Sequence, residues 1–496
     1  MASISLKKSA HLADFFPPWA PLRAFSGLMS PANPPAGPSL TFPQHHATIS
    51  VSVYCGRVPA VEREENIMNK GNPRALLPIA AFLVLYLGLG VALGFSNVPI
   101  TIVFLIAILV ACFQNPSLSL DKKLEVMGQG VGDKNIITML LIFLAAGAFV
   151  GVAGRSSAES VAYFMLSIIP PRFAVAVLFV VACFVSTAMG TSVGTITLIT
   201  PIAVAVADAS GFSVPLCVGS VVGGSMFGDN LSFISDTTIA ACNGQGCPMK
   251  DKFRENFAIA LPAALVTLAV ILVLSFNVSL AGAVDRPYNL VQIIPYILVL
   301  IGGIAGINVF LVLLAGIVSG AVIMLLTGQT AAGALLTSMG SGASGMFETS
   351  MVAILVSAMC ALIRVYGGFD ALLYWIRRLF RGNRGGQLGM GLLVGAMDIA
   401  TANNTVAIVM ANPIAKEMSA QYGISSRKAA SLLDTFSCIF QGVIPYGAQM
   451  LVALTAAAEL GHTISAFQVM PYLLYPYFLL LSSLVFIFLV PQRKGN

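Results

Sequence analysis

Charge is the scarcest commodity in this 496-residue sequence: 9% of its residues are Asp, Glu, Lys or Arg, against roughly a quarter in soluble domains. With 57% hydrophobic residues and a mean hydropathy of +0.90, a water-soluble fold would have no way to hide the apolar surface. Histidine is nearly absent, and three of the four (His11, His45, His46) sit near the N-terminus, with His462 expected on an outer loop; any pH response therefore rests on carboxylates. The eight cysteines form no CxxC and have no histidines nearby, which argues against a zinc site or a disulfide framework. HExxH, a P-loop and a nucleophile paired with its base are missing too, so neither an enzyme nor a bound cofactor is expected. The net charge of +6 does not indicate nucleic acid, because in a membrane chain the placement of Lys and Arg matters more than their sum.

What is present is a series of almost uncharged runs, among them residues 75–95, 136–154, 257–276 and 309–326. About 20 such residues carry an α-helix across ~30 Å of hydrocarbon. The runs are apolar on every face, whereas a β-barrel would alternate apolar and polar residues. The fold class is an all-α polytopic membrane protein. Residues 1–67 differ, being Pro- and Ser-rich without a spanning segment, and read as a disordered tail or gene-model extension, with a removable transit peptide as the alternative. A chain starting at Met68 is expected to insert into the membrane and to keep its activity.

Sliding the chain by 212 positions places Met127-Gly128-Gln129-Gly130 on Met339-Gly340-Ser341-Gly342, and Pro201-Ile202-Ala203 on Pro413-Ile414-Ala415. One ungapped register over so long a span points to two homologous halves, 68–284 and 285–496, as in many secondary transporters. Seven spans in each half would invert the second half relative to the first. With the N-terminus in the cytoplasm, eighteen Lys and Arg residues, Lys122, Lys252, Arg364 and Arg378 among them, fall inside, and only Arg155, Arg172 and Arg286 outside. This follows the positive-inside rule for a multi-pass protein of the cell inner membrane. Twelve to fourteen spans are expected, with broken helices and room for re-entrant hairpins.

Polar residues at membrane depth are costly and ask for a reason. Two clusters fall on the same repeat offset: Gly190-Thr191-Ser192-Val193-Gly194-Thr195 and Thr401-Ala402-Asn403-Asn404-Thr405. Glycine loosens the backbone, while Ser, Thr and Asn supply oxygens, so Thr191, Ser192, Thr195, Asn403, Asn404 and Thr405 are candidate cation ligands at two broken helices. Close helix packing and back-bonding to helix carbonyls is the plainer reading. Between apolar spans, Phe227-Gly228-Asp229-Asn230-Leu231-Ser232-Phe233-Ile234-Ser235-Asp236-Thr237-Thr238 concentrates carboxylate, amide and hydroxyl oxygens. Such a set suits sodium or a proton rather than a transition metal, and makes Asp229, Asn230, Ser232, Ser235, Asp236 and Thr237 candidates. A solvated turn is the alternative. Asp398 precedes the Asn403 cluster and joins the list. Glu348, Asp398 and Asp434 are each candidates for a proton site or an ion pair, Glu348 and Asp434 for a proton relay in particular, and a structural salt bridge of Glu348 with Arg364 stands equally beside the relay.

These motifs, together with Gln441-Gly442-Val443-Ile444-Pro445-Tyr446-Gly447-Ala448-Gln449, resemble the NhaC-type sodium/proton antiporters, an ion-transporter group with inverted repeats, over residues 70–490. The resemblance implies efflux of sodium or lithium coupled to proton uptake, at a site where the two broken helices meet. The alternative is a sodium- or proton-coupled exchanger of an organic acid or amino acid; a Lys or Arg inside the clusters would favour it, and none is expected there. Membrane lipid, the transported ions and protons are the expected partners, with a homodimer left open.

Asp236 is the residue expected to release a proton when it takes sodium, with Asp229 next. In an unbroken helix their carboxylates would lie ~10 Å apart along the axis, too far to share an ion bound at about 2.3–2.6 Å. Either the chain breaks between them or they serve separate steps. Asp434→Asn is expected to be milder than Asp236→Asn.

Overall fold

The computed structural model describes residues 71–94, 98–278 and 287–489; the tail expected to be dispensable lies outside the described residues. Every regular element among the described residues is helical. The chain opens with α1 (Leu77–Leu93), α2 (Ile100–Phe113), α3 (Leu120–Val131) and α4 (Lys134–Ile168), the last kinked at Gly154, whose φ is 64°. Then come α5 (Ala174–Met189), α6 (Ser192–Ser210), α7 (Val214–Leu231), α8 (Asp236–Gln245) and α9 (Met249–Phe276). The rest comprises α10 (Leu290–Ile304), α11 (Val309–Leu326), α12 (Ala332–Gly345), α13 (Phe347–Val365), α14 (Gly368–Leu379), α15 (Gly382–Thr401), α16 (Asn404–Tyr422), α17 (Ser426–Val443), α18 (Ala448–Glu459), α19 (Ala466–Val469) and α20 (Leu474–Phe488). Ser192 and Asn404, Val214 and Ser426, and Asp236 and Ala448 open helices 212 positions apart.

Helices α1, α2 and α11 turn Val84, Val91, Leu109 and Leu311 outward while burying Phe82, Phe104 and Leu313. Exposed apolar surface on that scale is unfavourable in water and neutral against lipid tails. Among the described residues, eight helical segments are long and apolar enough to cross a bilayer, nine if the bent α19–α20 segment counts as one span. That criterion gives fewer than the twelve to fourteen expected because polar segments cut several apolar runs short: α2 and α10 have 14 and 15 residues. The Ser- and Gly-rich α7 is also not among the eight.

Bonds between elements define two faces. On one, the Asn72 amide donates to Gly367 O (2.9 Å), Arg377 of α14 pairs with Glu417 of α16 (2.7 Å), and Arg427 of α17 pairs with Glu255 of α9 (3.0 Å). This basic face holds the start of α1, the end of α13 and the starts of α9 and α17. On the opposite face, Arg155 reaches Asp208 at the end of α6 (2.9 Å) and the carbonyl of Leu460 beyond α18 (3.2 Å). A cysteine-depleted chain carrying Lys122→Cys, Arg378→Cys or Thr337→Cys is expected to label with an impermeant thiol reagent from one side at the first two positions and from the other side at the third. Labelling of Arg378→Cys and Thr337→Cys from the same side would overturn this arrangement.

Candidate functional site

Four chain breaks converge in the interior. Helix α5 ends at Gly190, which takes the left-handed conformation (φ 69°). Thr191, extended at φ −152°, then caps α6 by accepting from the Gly194 amide (3.4 Å). A Cβ at Gly190 would lie 2.7 Å from the Ile234 side chain, so both conformation and space call for glycine. The second tip is built alike: Ala402 is left-handed (φ 47°), and Asn403 (φ −146°) caps α16 through the Val406 amide (3.0 Å). Helices α15 and α16 therefore form a hairpin, closed at its far end by Asn383, whose Nδ2 donates to Tyr422 O (2.9 Å). In the same way Leu178 and Val181 of α5 share an apolar cavity with Ile202 and Leu198 of α6. The other two breaks interrupt crossing segments: extended Ser232 and Ser235 separate α7 from α8, and Ile444–Gly447 separate α17 from α18.

Asp229, in the last turn of α7 and 4% exposed, is where these breaks meet. Its Oδ2 accepts from Ser192 Oγ at the first tip (2.8 Å) and from Asn404 Nδ2 at the second (3.2 Å). Its Oδ1 accepts from Ser235 Oγ, which also bonds Thr237 Oγ1 (2.8 Å). Behind these, Gln449 Nε2 donates to Ser192 Oγ (3.2 Å), and Gln441 Nε2 donates to Gln449 Oε1 (2.7 Å) and to Ala402 O (2.9 Å). One continuous set of hydrogen bonds thus joins both hairpin tips to both broken crossing segments. Every group on the Asp229 carboxyl is neutral.

A second polar cluster adjoins the first through Asn230. Lys252 Nζ, 1% exposed on its side chain, pairs with Asp434 (2.6 Å) and donates to Asn230 O (2.9 Å) and Thr238 Oγ1 (2.7 Å). Asn256 Nδ2 donates to Asp434 Oδ2 (2.9 Å), to Asn230 O (2.9 Å) and to Asn230 Oδ1. One sequence expectation is corrected here: Lys252 belongs to the buried face of α9, so a buried cation does lie beside the site. Of the two roles open to Asp434, a proton site or an ion pair, its contact with Lys252 is the second.

The remaining candidates divide. Asp236, expected to carry the exchange, is exposed in the first turn of α8, where a carboxylate favours the positive end of the helix; the break between it and Asp229 leaves Asp229 in the buried position. Ser232 accepts from the Ile234 amide within its own turn (3.2 Å), and Thr195 bonds back to Thr191 O (2.9 Å). The Thr405 amide donates to Asn404 Oδ1 (3.0 Å) and so orients the Asn404 amide. Asp398 is fully buried on α15 with the Ser437 hydroxyl beside it. Glu348 and Arg364 stand in the first and last turns of α13, about 24 Å apart at 1.5 Å per residue, so the expected pairing does not form.

The sequence profile of the Na+/H+ antiporter family matches residues 72–278 and 281–491. The Na(+)/H(+) antiporter NhaC of Bacillus subtilis is 22% identical over 396 residues, covering 73% of this chain and 86% of that protein. The malate-2H(+)/Na(+)-lactate antiporter of the same organism is 26% identical over 203 residues, 40% of this chain and 42% of that protein. The crystal structure of the Alcanivorax borkumensis YdaH transporter aligns with a TM-score of 0.42 at 16% identity, over 84% of this chain and 98% of that one. With a helical fold, apolar spans and a profile match running through both halves of the sequence, this chain belongs to the Na+/H+ antiporter family.

Proposed function

We propose that this chain exchanges sodium, or lithium, for protons, and that Asp229 is the carboxylate for which the two compete. The observation that carries this reading is the surrounding of Asp229: a buried carboxyl held by Ser192, Ser235 and Asn404, with no basic side chain among the described residues on it. Hydroxyl and amide groups each present an oxygen as well as a hydrogen. When the carboxyl loses its proton, those oxygens can turn toward a hard cation, which prefers carboxylate, hydroxyl and carbonyl ligands. Thr237 and the free carbonyls of the broken segments extend the ligand set. Because one carboxylate takes either the cation or the proton, each displaces the other, and exchange is coupled without a further device.

The organic-acid alternative gains nothing from Lys252. An ammonium has three N–H donors, and Asp434, Asn230 O and Thr238 Oγ1 take all three, leaving none for a substrate carboxylate. The helix starts spaced 212 positions apart support two inverted repeats meeting at Asp229. The basic face, with Arg377, Arg378 and Arg427, supports a cytoplasmic placement of that face in the inner membrane.

The deciding measurement is the collapse of a preformed proton gradient in everted vesicles on addition of sodium, lithium, potassium, malate or an amino acid. Sodium and lithium are expected to collapse it, and potassium and the organic solutes are not. A response to malate that needs sodium would overturn the cation-only reading.

A further inference from the structure

We infer that the face opposite the basic one opens into a cation-recruiting vestibule, with Glu348 at its mouth and the Thr349–Thr455 pair at its floor, leading to the α15–α16 tip. The inference rests on the reading of Asp229 as the exchange site only for the identity of the ion. A cavity of about 410 Å³ lies among α1, α2, α13, α18 and the segment before α19, lined by Tyr86, Glu348, Thr455, Thr463 and Ser465. At ~30 Å³ per water this is room for roughly a dozen waters, enough for a monovalent cation with its hydration shell. Glu348 is exposed, and it takes part in none of the ion pairs among the described residues.

Below this space the path narrows. Thr349 and Leu451 line both the vestibule and a crevice of about 10 Å³, which reaches Ala402, Asn403 and Tyr446. On the same scale that is less than one water, so the crevice is shut to a hydrated ion. The Thr349 and Thr455 hydroxyls bond each other at 3.1 Å, closing the floor with groups that can exchange their mutual bond for an ion or water. Beyond the crevice, Asn404 donates to Asp229. A hydrated cation therefore meets an unneutralised carboxylate, then a hydroxyl-lined constriction where its shell must be shed, and then the tip. A carboxylate in a cleft with low-dielectric walls concentrates cations and repels anions.

Thr455→Cys in an otherwise cysteine-free chain tests the vestibule without reference to transport. Methanethiosulfonates of similar size bearing a trimethylammonium or a sulfonate group are applied from the vestibule face, and Glu348→Gln is added to the same background. The cationic-to-anionic rate ratio is expected to fall about three- to tenfold in the Gln variant, and less at high ionic strength. In the native-cysteine chain, Glu348→Gln should raise the sodium KM from the vestibule face by about the same factor, with kcat and the KM from the basic face unchanged; Glu348→Asp should restore it. An unchanged reagent ratio overturns the vestibule. A fall in kcat at constant KM also overturns it, since Glu348 would then relay protons rather than recruit cations. If Asp229→Asn exchanges normally while the reagent ratio still depends on Glu348, the vestibule stands and the exchange site lies elsewhere.

Discussion

Asp229→Asn is expected to abolish sodium-driven proton movement at every pH from about 6 to 9, with insertion into the membrane unchanged. The side-chain amide is close to the carboxyl in shape and can keep bonds to Ser192, Ser235 and Asn404, so the fold has little to lose. What it cannot do is release a proton, and with that the competition between proton and cation ends. In the wild type, apparent sodium affinity should weaken as pH falls, by at most about tenfold per pH unit for a single competing proton. Asp229→Asn should remove that dependence along with the transport. Ser192→Ala and Asn404→Ala each remove a hydrogen bond to a charged group, worth about 1.5–3 kcal/mol, and should weaken sodium binding by roughly ten- to a hundredfold while leaving its pH dependence in place. Asp236→Asn should change exchange less than about twofold, because Asp236 is exposed on α8. Loss of exchange in Asp236→Asn with normal exchange in Asp229→Asn would move the site to Asp236; normal exchange in both would return it to Asp398.

The membrane helices and the two polar tips could be read from sequence because their signals are local. Glycine, threonine and asparagine inside an apolar run have no inexpensive explanation in a bilayer, and the Gly190 and Ala402 turns stand where those residues cluster. Choosing between Asp229 and Asp236 could not be done that way. The two lie seven positions apart in one oxygen-rich segment, and only the turn through Ser232 and Ser235 decides which carboxyl enters the interior. Lys252 was legible in principle: it lies between exposed Lys250 and Arg254, yet with Asn256, Ile259, Ala260 and Ala263 it forms one buried helical stripe on α9, the spacing a helix begun at Met249 would give. Placing the start of that helix beyond Arg254 hid the pattern. Glu348 and Arg364 show the converse error, since opposite charges sixteen positions apart on one helix cannot meet. Gln441 and Gln449 carry no charge to draw attention, and their link from Ala402 to Ser192 exists only once four separate segments are assembled.

Lys252→Met and Asp434→Asn should each destabilise the protein by about 3–5 kcal/mol, the usual cost of stranding one member of a buried ion pair. Asp434→Asn, expected from sequence to be milder for exchange than Asp236→Asn, becomes costly to stability through the pairing at 2.6 Å, with side chains 1% and 0% exposed. Removal of the Asp434 charge leaves the Lys252 ammonium with neutral acceptors alone, the new amide oxygen, Asn230 O and Thr238 Oγ1, and these do not balance a buried charge. Removal of the ammonium leaves the carboxylate with Asn256 Nδ2, and leaves the Asn230 carbonyl at the end of α7, one residue from Asp229, with the same Asn256 amide as its one remaining side-chain donor among the described residues. Replacing both partners by apolar residues of similar size, Lys252→Met with Asp434→Leu, takes away the charges together, and a buried pair replaced in this way often costs little. The double variant should therefore be more stable than either single one, by thermal unfolding in detergent or by the fraction recovered as a monodisperse species. Transport separates two roles for the pair. A pair that only holds α9 against α17 would let the double variant recover exchange together with stability. A pair that also fixes the field at Asp229 would leave the double variant stable but with its sodium affinity and pH dependence displaced. Equal stability of the wild type and both single variants would show that the ion pair does not form.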